Sequence, residues 1–175
     1  AAAPLFVRET KLPNGLVVHE YKLKNEMQLL LVPDHSAPVF TYQVWFKVGS
    51  AAEKADPRLQ RTGLAHFFEH MMFRGTDRLG PTDHFDFVRR TGGNCNAYTS
   101  FDETVYMLDL PTDKAEVVSK GVQALADFAG GLSLTAEEVN KERGVVIEEW
   151  RGRLGAATRV RDQQVPVLYY HSRYA

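Results

Sequence analysis

His66-Phe67-Phe68-Glu69-His70 sets two imidazoles four residues apart, with a carboxylate directly before the second. On an α-helix, residues i and i+4 stack one turn apart on the same face, and Glu69 then lies on the neighbouring ridge. Two imidazoles so placed can share one divalent cation, zinc above all, while the carboxylate beside them can take a proton from water. A random arrangement of this composition would produce an H-x-x-E-H run in roughly one chain in a hundred. The competing reading is an amphipathic helix whose histidines only cap it or hydrogen-bond within it.

Working outward, the spacing predicts a motif helix from Gly63 to about Phe73. Before it, Phe40, Tyr42, Val44, Phe46 and Val48 alternate with Thr41, Gln43, Trp45 and Lys47, a period-two pattern that predicts a strand over Val39–Val48. Its aromatic residues are expected in the core. Leu16–Leu23 and Met27–Val32 read as a hairpin turning at Lys24-Asn25-Glu26. Residues 51–61, polar and containing Pro57, read as a loop leading into the motif helix.

After the motif, Thr82 is placed to N-cap a short helix that runs to Arg90 and is stopped by Gly92-Gly93. Asn94–Thr99 and Thr104–Leu110 read as a second hairpin with its bend at Ser100-Phe101-Asp102. Pro111-Thr112 is expected to open a longer helix ending at Gly130-Gly131. Thr135 and Glu138 have capping-box spacing for a further helix reaching Trp150, and beyond Ala156 the pattern weakens. Hairpins interleaved with helices predict an α+β fold, a largely antiparallel sheet with helices packed on one face.

Composition narrows the function classes. The chain has 175 residues, the size of one domain. With 21 basic against 22 acidic residues, nothing in its charge points to nucleic acid or an anionic membrane as partner. No run approaches the roughly 20 apolar residues of a transmembrane segment. Cys95 stands alone, so no internal disulfide is expected. The opening Ala1-Ala2-Ala3-Pro4 fits either the remnant of a processed leader or a plain end, and it favours a periplasmic or secreted location over mitochondrial matrix or cytoplasm. His19, His35, His84 and His171 have no ligand spacing and read as surface or loop histidines.

A hydrolytic zinc site takes three protein ligands and leaves a position for water, so a carboxylate is needed elsewhere. The helix after Thr135 offers Glu142, Glu148 and Glu149. Glu142 and Glu149 lie seven residues apart, two turns along one face, with Glu148 rotated about a quarter-turn from Glu149. Spacing nominates Glu142 and Glu149 as an inward pair, against the alternative that all three form a solvated helix face.

The blocks Gly63-Leu-Ala-His-Phe-Phe-Glu-His-Met-Met-Phe-Arg-Gly-Thr76, Gly92-Gly-Asn-Cys-Asn-Ala-Tyr-Thr-Ser-Phe-Asp-Glu-Thr104 and Glu142-Arg-Gly-Val-Val-Ile-Glu-Glu149 resemble the pitrilysin/insulysin family of inverzincin metallopeptidases. The strand block Val44-Trp-Phe-Lys-Val-Gly-Ser50 resembles the family's segment before the motif. The resemblance implies zinc held by His66, His70 and Glu149, with Glu69 as general base and Glu142 in a supporting role. It prefers Glu149 to Glu148. It also implies that Asn96 and Ala97 lie on an edge strand to which an extended peptide or unfolded protein segment adds as a further strand. Family members are clamshells of similar domains, so residues 1–175 would be one incomplete catalytic half, needing a second homologous domain or subunit. The activity implied is that of a zinc metalloendopeptidase. The alternative within the same resemblance is a non-catalytic scaffold or processing-peptidase-like subunit.

Overall fold

The computed structural model of the chain describes residues 3–53 and 62–174. The loop expected over residues 51–61 lies partly outside the described residues, at 54–61. The chain divides into two compact units, residues 1–38 and 39–175.

The first unit is a three-stranded antiparallel sheet, β1 (Leu5–Lys11), β2 (Val17–Lys22) and β3 (Gln28–Leu31), in the order β1-β2-β3. The β2–β3 hairpin is the one expected, and Glu26 in its turn adopts a positive φ of 67°. β1 has no counterpart in the sequence reading. Every residue of it is exposed, so no alternation between a buried and a solvated face marks it.

The second unit is built on β4 (Val39–Phe46), β5 (Asn94–Thr99) and β6 (Thr104–Pro111), all antiparallel in the order β4-β6-β5. β6 is the central strand, and its Val105, Tyr106, Leu108 and Leu110 are at most 1% exposed. Each such side chain contributes roughly 1.5–3 kcal/mol by leaving water. β4 shows the expected alternation, with Phe40, Tyr42, Val44 and Phe46 half-buried. Trp45 departs from the expected aromatic core: it falls on the opposite face, is 55% exposed and donates its indole N–H to Gln43 at 3.0 Å.

Among the described residues five α-helices complete this unit: α1 (Leu64–Met71), α2 (Asp83–Thr91), α3 (Ala115–Asp127), α4 (Ala136–Gly152) and α5 (Ala156–Leu168). Met72, Val88, Val117, Leu125 and Phe128 pack with Tyr106, Leu108 and Leu110 to form the core. Gly121 lets α3 lie close on β6, because a Cβ there would stand 2.2 Å from Leu110 Cδ1. Pro111, expected to open α3, instead ends β6 opposite Val39. Thr82 precedes α2 as expected but makes no side-chain cap; Asp83 Oδ2 instead accepts from the Gly80 N–H at 2.8 Å. Thr135 caps α4 by accepting from the Glu138 N–H at 3.3 Å, while the Glu138 carboxylate turns to Lys141, so only half of the capping box forms. α5 buries no residue, which explains its weak sequence pattern. Among the described residues no helix is long and apolar enough to cross a membrane.

Candidate metal centre

α1 carries His66, Glu69 and His70 on a helix of eight residues, of which Glu69 and Met71 are buried. His66 and His70 meet edge to face, with ring centroids 4.7 Å apart. Their Nε2 atoms stand 3.3 Å apart, and Glu149 Oε2 on α4 lies 3.7 Å from each. A cation held at about 2.0–2.1 Å by three tetrahedrally disposed ligands needs them roughly 3.4 Å apart. Two imidazole nitrogens and a carboxylate oxygen in this triangle therefore fit zinc in both donor type and spacing, and the three side chains keep one side open at 30%, 16% and 38% exposure.

Glu142 is brought to the same place. Its Oε1 lies 2.8 Å from His70 Nδ1, and its Oε2 accepts from Arg74 Nε. An ionised carboxylate can only accept, so Nδ1 carries the proton and the lone pair of Nε2 points to the triangle. Glu148 points elsewhere: its carboxylate pairs with Arg151, and its side chain is 69% exposed. Arg153 also reaches Glu149, at 3.4 Å.

Glu69 is buried, and its Oε2 accepts from Thr99 Oγ1 at 2.6 Å. Burial, and after it the nearby Glu69 charge, holds the Tyr106 hydroxyl well above the usual range. Thr99 ends β5, the strand that bears Asn96 and Ala97. Among the described residues β5 pairs with β6 on one side only. The Ala97 N–H is taken by Asn96 Oδ1 at 2.9 Å, so at this position the backbone donor turns to a neighbouring side chain on the strand's other edge.

Three residues near this centre were not singled out in the sequence: Thr99, Arg74 and Glu53. The first two fall inside the motif blocks, yet only tertiary contact reveals their partners. Glu53 Oε2 and Oε1 accept from the Gly63 and Ala65 N–H groups at 2.7 and 2.6 Å. His84, expected at the surface or in a loop, is 3% exposed, and among the described residues neither ring nitrogen has a hydrogen-bond partner.

Residues 28–166 match the sequence profile of the insulinase family, peptidase family M16. The chain belongs to peptidase family M16. It is 39% identical over 133 residues to the zinc protease PQQL-like of Arabidopsis thaliana, covering 74% of this chain and 14% of that protein. It is 37% identical over 132 residues to the zinc protease PqqE of Helicobacter pylori, covering 75% of this chain and 28% of that protein. The solved first half of the periplasmic protease PqqL from Escherichia coli superposes with a TM-score of 0.82 at 29% identity, covering 99% of this chain and 35% of that one. The M16 chain therefore has the α+β architecture of a family half-domain, and it spans less than a third of the curated relatives named here.

Proposed function

We propose that this M16 chain forms the zinc-bearing part of a metalloendopeptidase that hydrolyses peptides or unfolded polypeptide segments. The observation that carries the reading is the triangle of His66 Nε2, His70 Nε2 and Glu149 Oε2, with sides of 3.3, 3.7 and 3.7 Å. Zinc bound there would supply Lewis acidity, polarising the scissile carbonyl and acidifying a water. His66, His70 and Glu149 hold the ion. Glu142 fixes the His70 tautomer and ring orientation through Nδ1.

Glu69 acts as general base and then as general acid, receiving the water's proton and passing it to the leaving amine. With Oε2 engaged by Thr99, its Oε1 remains for that transfer. An extended substrate adds along the outer edge of β5, taking main-chain hydrogen bonds at Ala97 in place of the Asn96 Oδ1 that holds its N–H, while Asn96 meets the substrate through its side chain. Reading backbone rather than side chains suits unfolded segments of varied sequence.

The chain covers 35% of the solved half of PqqL, which supports a longer catalytic half and a second homologous domain or subunit closing over the substrate. The periplasmic setting of that relative supports a periplasmic or secreted location. The test is zinc content together with cleavage of an unstructured peptide, for wild type and Glu69→Gln, in the chain alone and joined to the remainder of its protein. One zinc in both proteins, with cleavage lost in the variant, is the expected result. A metal-free and inert wild type would overturn the reading in favour of a scaffold. Undiminished cleavage by Glu69→Gln would overturn the role of the base.

A further inference from the structure

The motif helix is poorly equipped to hold itself. At eight residues, α1 is shorter than an isolated helix needs to persist in water. Its first turn presents backbone N–H groups with no partner inside the helix. Gly63 at the N-cap has no side chain to offer them and sits in the left-handed region at φ 90°.

The missing acceptor comes from a different part of the chain. Glu53, 7% exposed, directs its two carboxylate oxygens one each to the Gly63 and Ala65 N–H groups. A negative charge at this end also opposes the positive pole of the helix dipole. Ala65 immediately precedes His66, so the capped turn is the one that carries the first imidazole.

The backbone that presents Glu53 is itself fastened to the end of the β5–β6 hairpin. Ser50 and Ala51 donate their N–H groups to the Ser100 and Phe101 carbonyls, both at 2.9 Å, and the Glu53 N–H closes the 3-10 turn Ser50–Ala52 on the Ser50 carbonyl at 3.2 Å. Gly49 makes this approach possible: a Cβ there would lie 2.3 Å from the Ser100 carbonyl oxygen. Ser100 directly follows Thr99, which holds Glu69 near the other end of the same helix. α1 is thus registered against β5 at both ends, by Glu53 at the first turn and by Thr99 at the last.

We propose that Glu53 is a positioning residue for the metal centre: its carboxylate caps the first turn of α1 and sets His66 in register with the β5 edge. The proposal rests on the zinc reading above. It acts through helix geometry, since Glu53 is not among the groups that converge on the metal triangle.

The test uses the 175-residue chain and Glu53→Gln, which keeps the side chain's size but offers one acceptor and turns an NH2 toward the other N–H. Zinc affinity is measured by chelator competition, the electronic spectrum is recorded on the cobalt(II)-substituted protein, and amide exchange is followed at Gly63, Ala65 and His66. Val117→Ala, a core truncation in α3, serves as a control for general destabilisation. Glu53→Gln is expected to weaken zinc binding about tenfold, alter the cobalt spectrum and accelerate exchange at the three amides. Val117→Ala is expected to change none of these at a temperature where both variants are folded. Unchanged affinity and spectrum in Glu53→Gln overturn the proposal.

Should the variant fail to fold, wild type decides alone: Gly63 and Ala65 amides protected above those of an uncapped first turn support it, and unprotected ones overturn it. Failure of the zinc reading is seen separately, as a wild type that binds no zinc. The exchange arm then still decides whether Glu53 holds the helix.

Discussion

Thr99 Oγ1 donates to Glu69 Oε2 at 2.6 Å, joining the last residue of β5 to the carboxylate proposed as general base. A hydrogen bond to a charged acceptor contributes about 1.5–3 kcal/mol, and here it engages Oε2 and leaves Oε1 without this partner. Thr99→Val keeps the shape and removes the donor. Turnover of an unstructured peptide is expected to fall roughly 10- to 100-fold, with KM and zinc affinity little changed. Thr99→Ser should recover most of the loss. Equal turnover in Val and wild-type proteins would show that Glu69 needs no such support.

Glu142 is a buried carboxylate shared between the His70 Nδ1–H and Arg74. Removing either interaction should have a distinct signature. Glu142→Gln weakens the acceptor behind His70 and is expected to lower zinc affinity about 10- to 100-fold. Arg74→Gln leaves the carboxylate buried with one partner fewer, and is expected to destabilise the metal-free fold by about 2–3 kcal/mol, Arg74 itself being partly exposed. Chelator competition reads the first effect and thermal melting of the metal-free protein reads the second.

Glu148 and Glu149 are neighbours in sequence with opposite surroundings: one pairs with Arg151 in solvent, the other stands 3.7 Å from both imidazoles. Glu149→Gln is expected to weaken zinc binding roughly 100-fold or more, since it replaces the one anionic ligand of the three by a neutral amide oxygen. Glu148→Gln is expected to leave the affinity within about twofold, the usual range for an exposed ion pair. A larger effect from Glu148→Gln than from Glu149→Gln would reverse the ligand assignment.

What could be read from the chain without its structure follows the range of the interactions involved. His66, Glu69 and His70 share one helical turn, and Glu142 and Glu149 repeat at seven residues, so periodicity alone groups each set. The alternation of β4 and the bend after Thr99 likewise leave local signals. Glu53, Arg74 and Thr99 do not: each acquires its partner only when α1 packs against β5 and α4 or meets the turn after β4. β1 and α5 leave little or no signal because they bury nothing, and amphipathic pattern records burial. His84 failed for another reason. It stands four residues before Val88 on the buried side of α2, and an imidazole without a partner at ligand spacing reads as a surface or loop residue.

His84 also gives a prediction about acid stability. Its ring lies against Phe73, Phe85 and Phe128, 3% exposed, with both nitrogens unpaired, and burial pulls its pKa down to about 4. The unfolded chain titrates this imidazole near 6.5, so between that pH and about 4 the unfolded state binds more protons. Above pH 6.5 the folded state carries no titration penalty from this group; as pH falls through the window, stability is lost, by about 2 kcal/mol at pH 5. His84→Leu removes both the titration and two unsatisfied buried polar atoms. The variant is expected to match or exceed wild-type stability by about 1–2 kcal/mol at pH 7.5, with the gap widening by about 2 kcal/mol at pH 5. Denaturant unfolding of the metal-free proteins at the two pH values measures that difference, and the titrations common to both proteins cancel. A gap that stays constant with pH would mean that the His84 imidazole titrates alike in the folded and unfolded chain, and a gap that narrows toward pH 5 would mean that it is protonated in the fold.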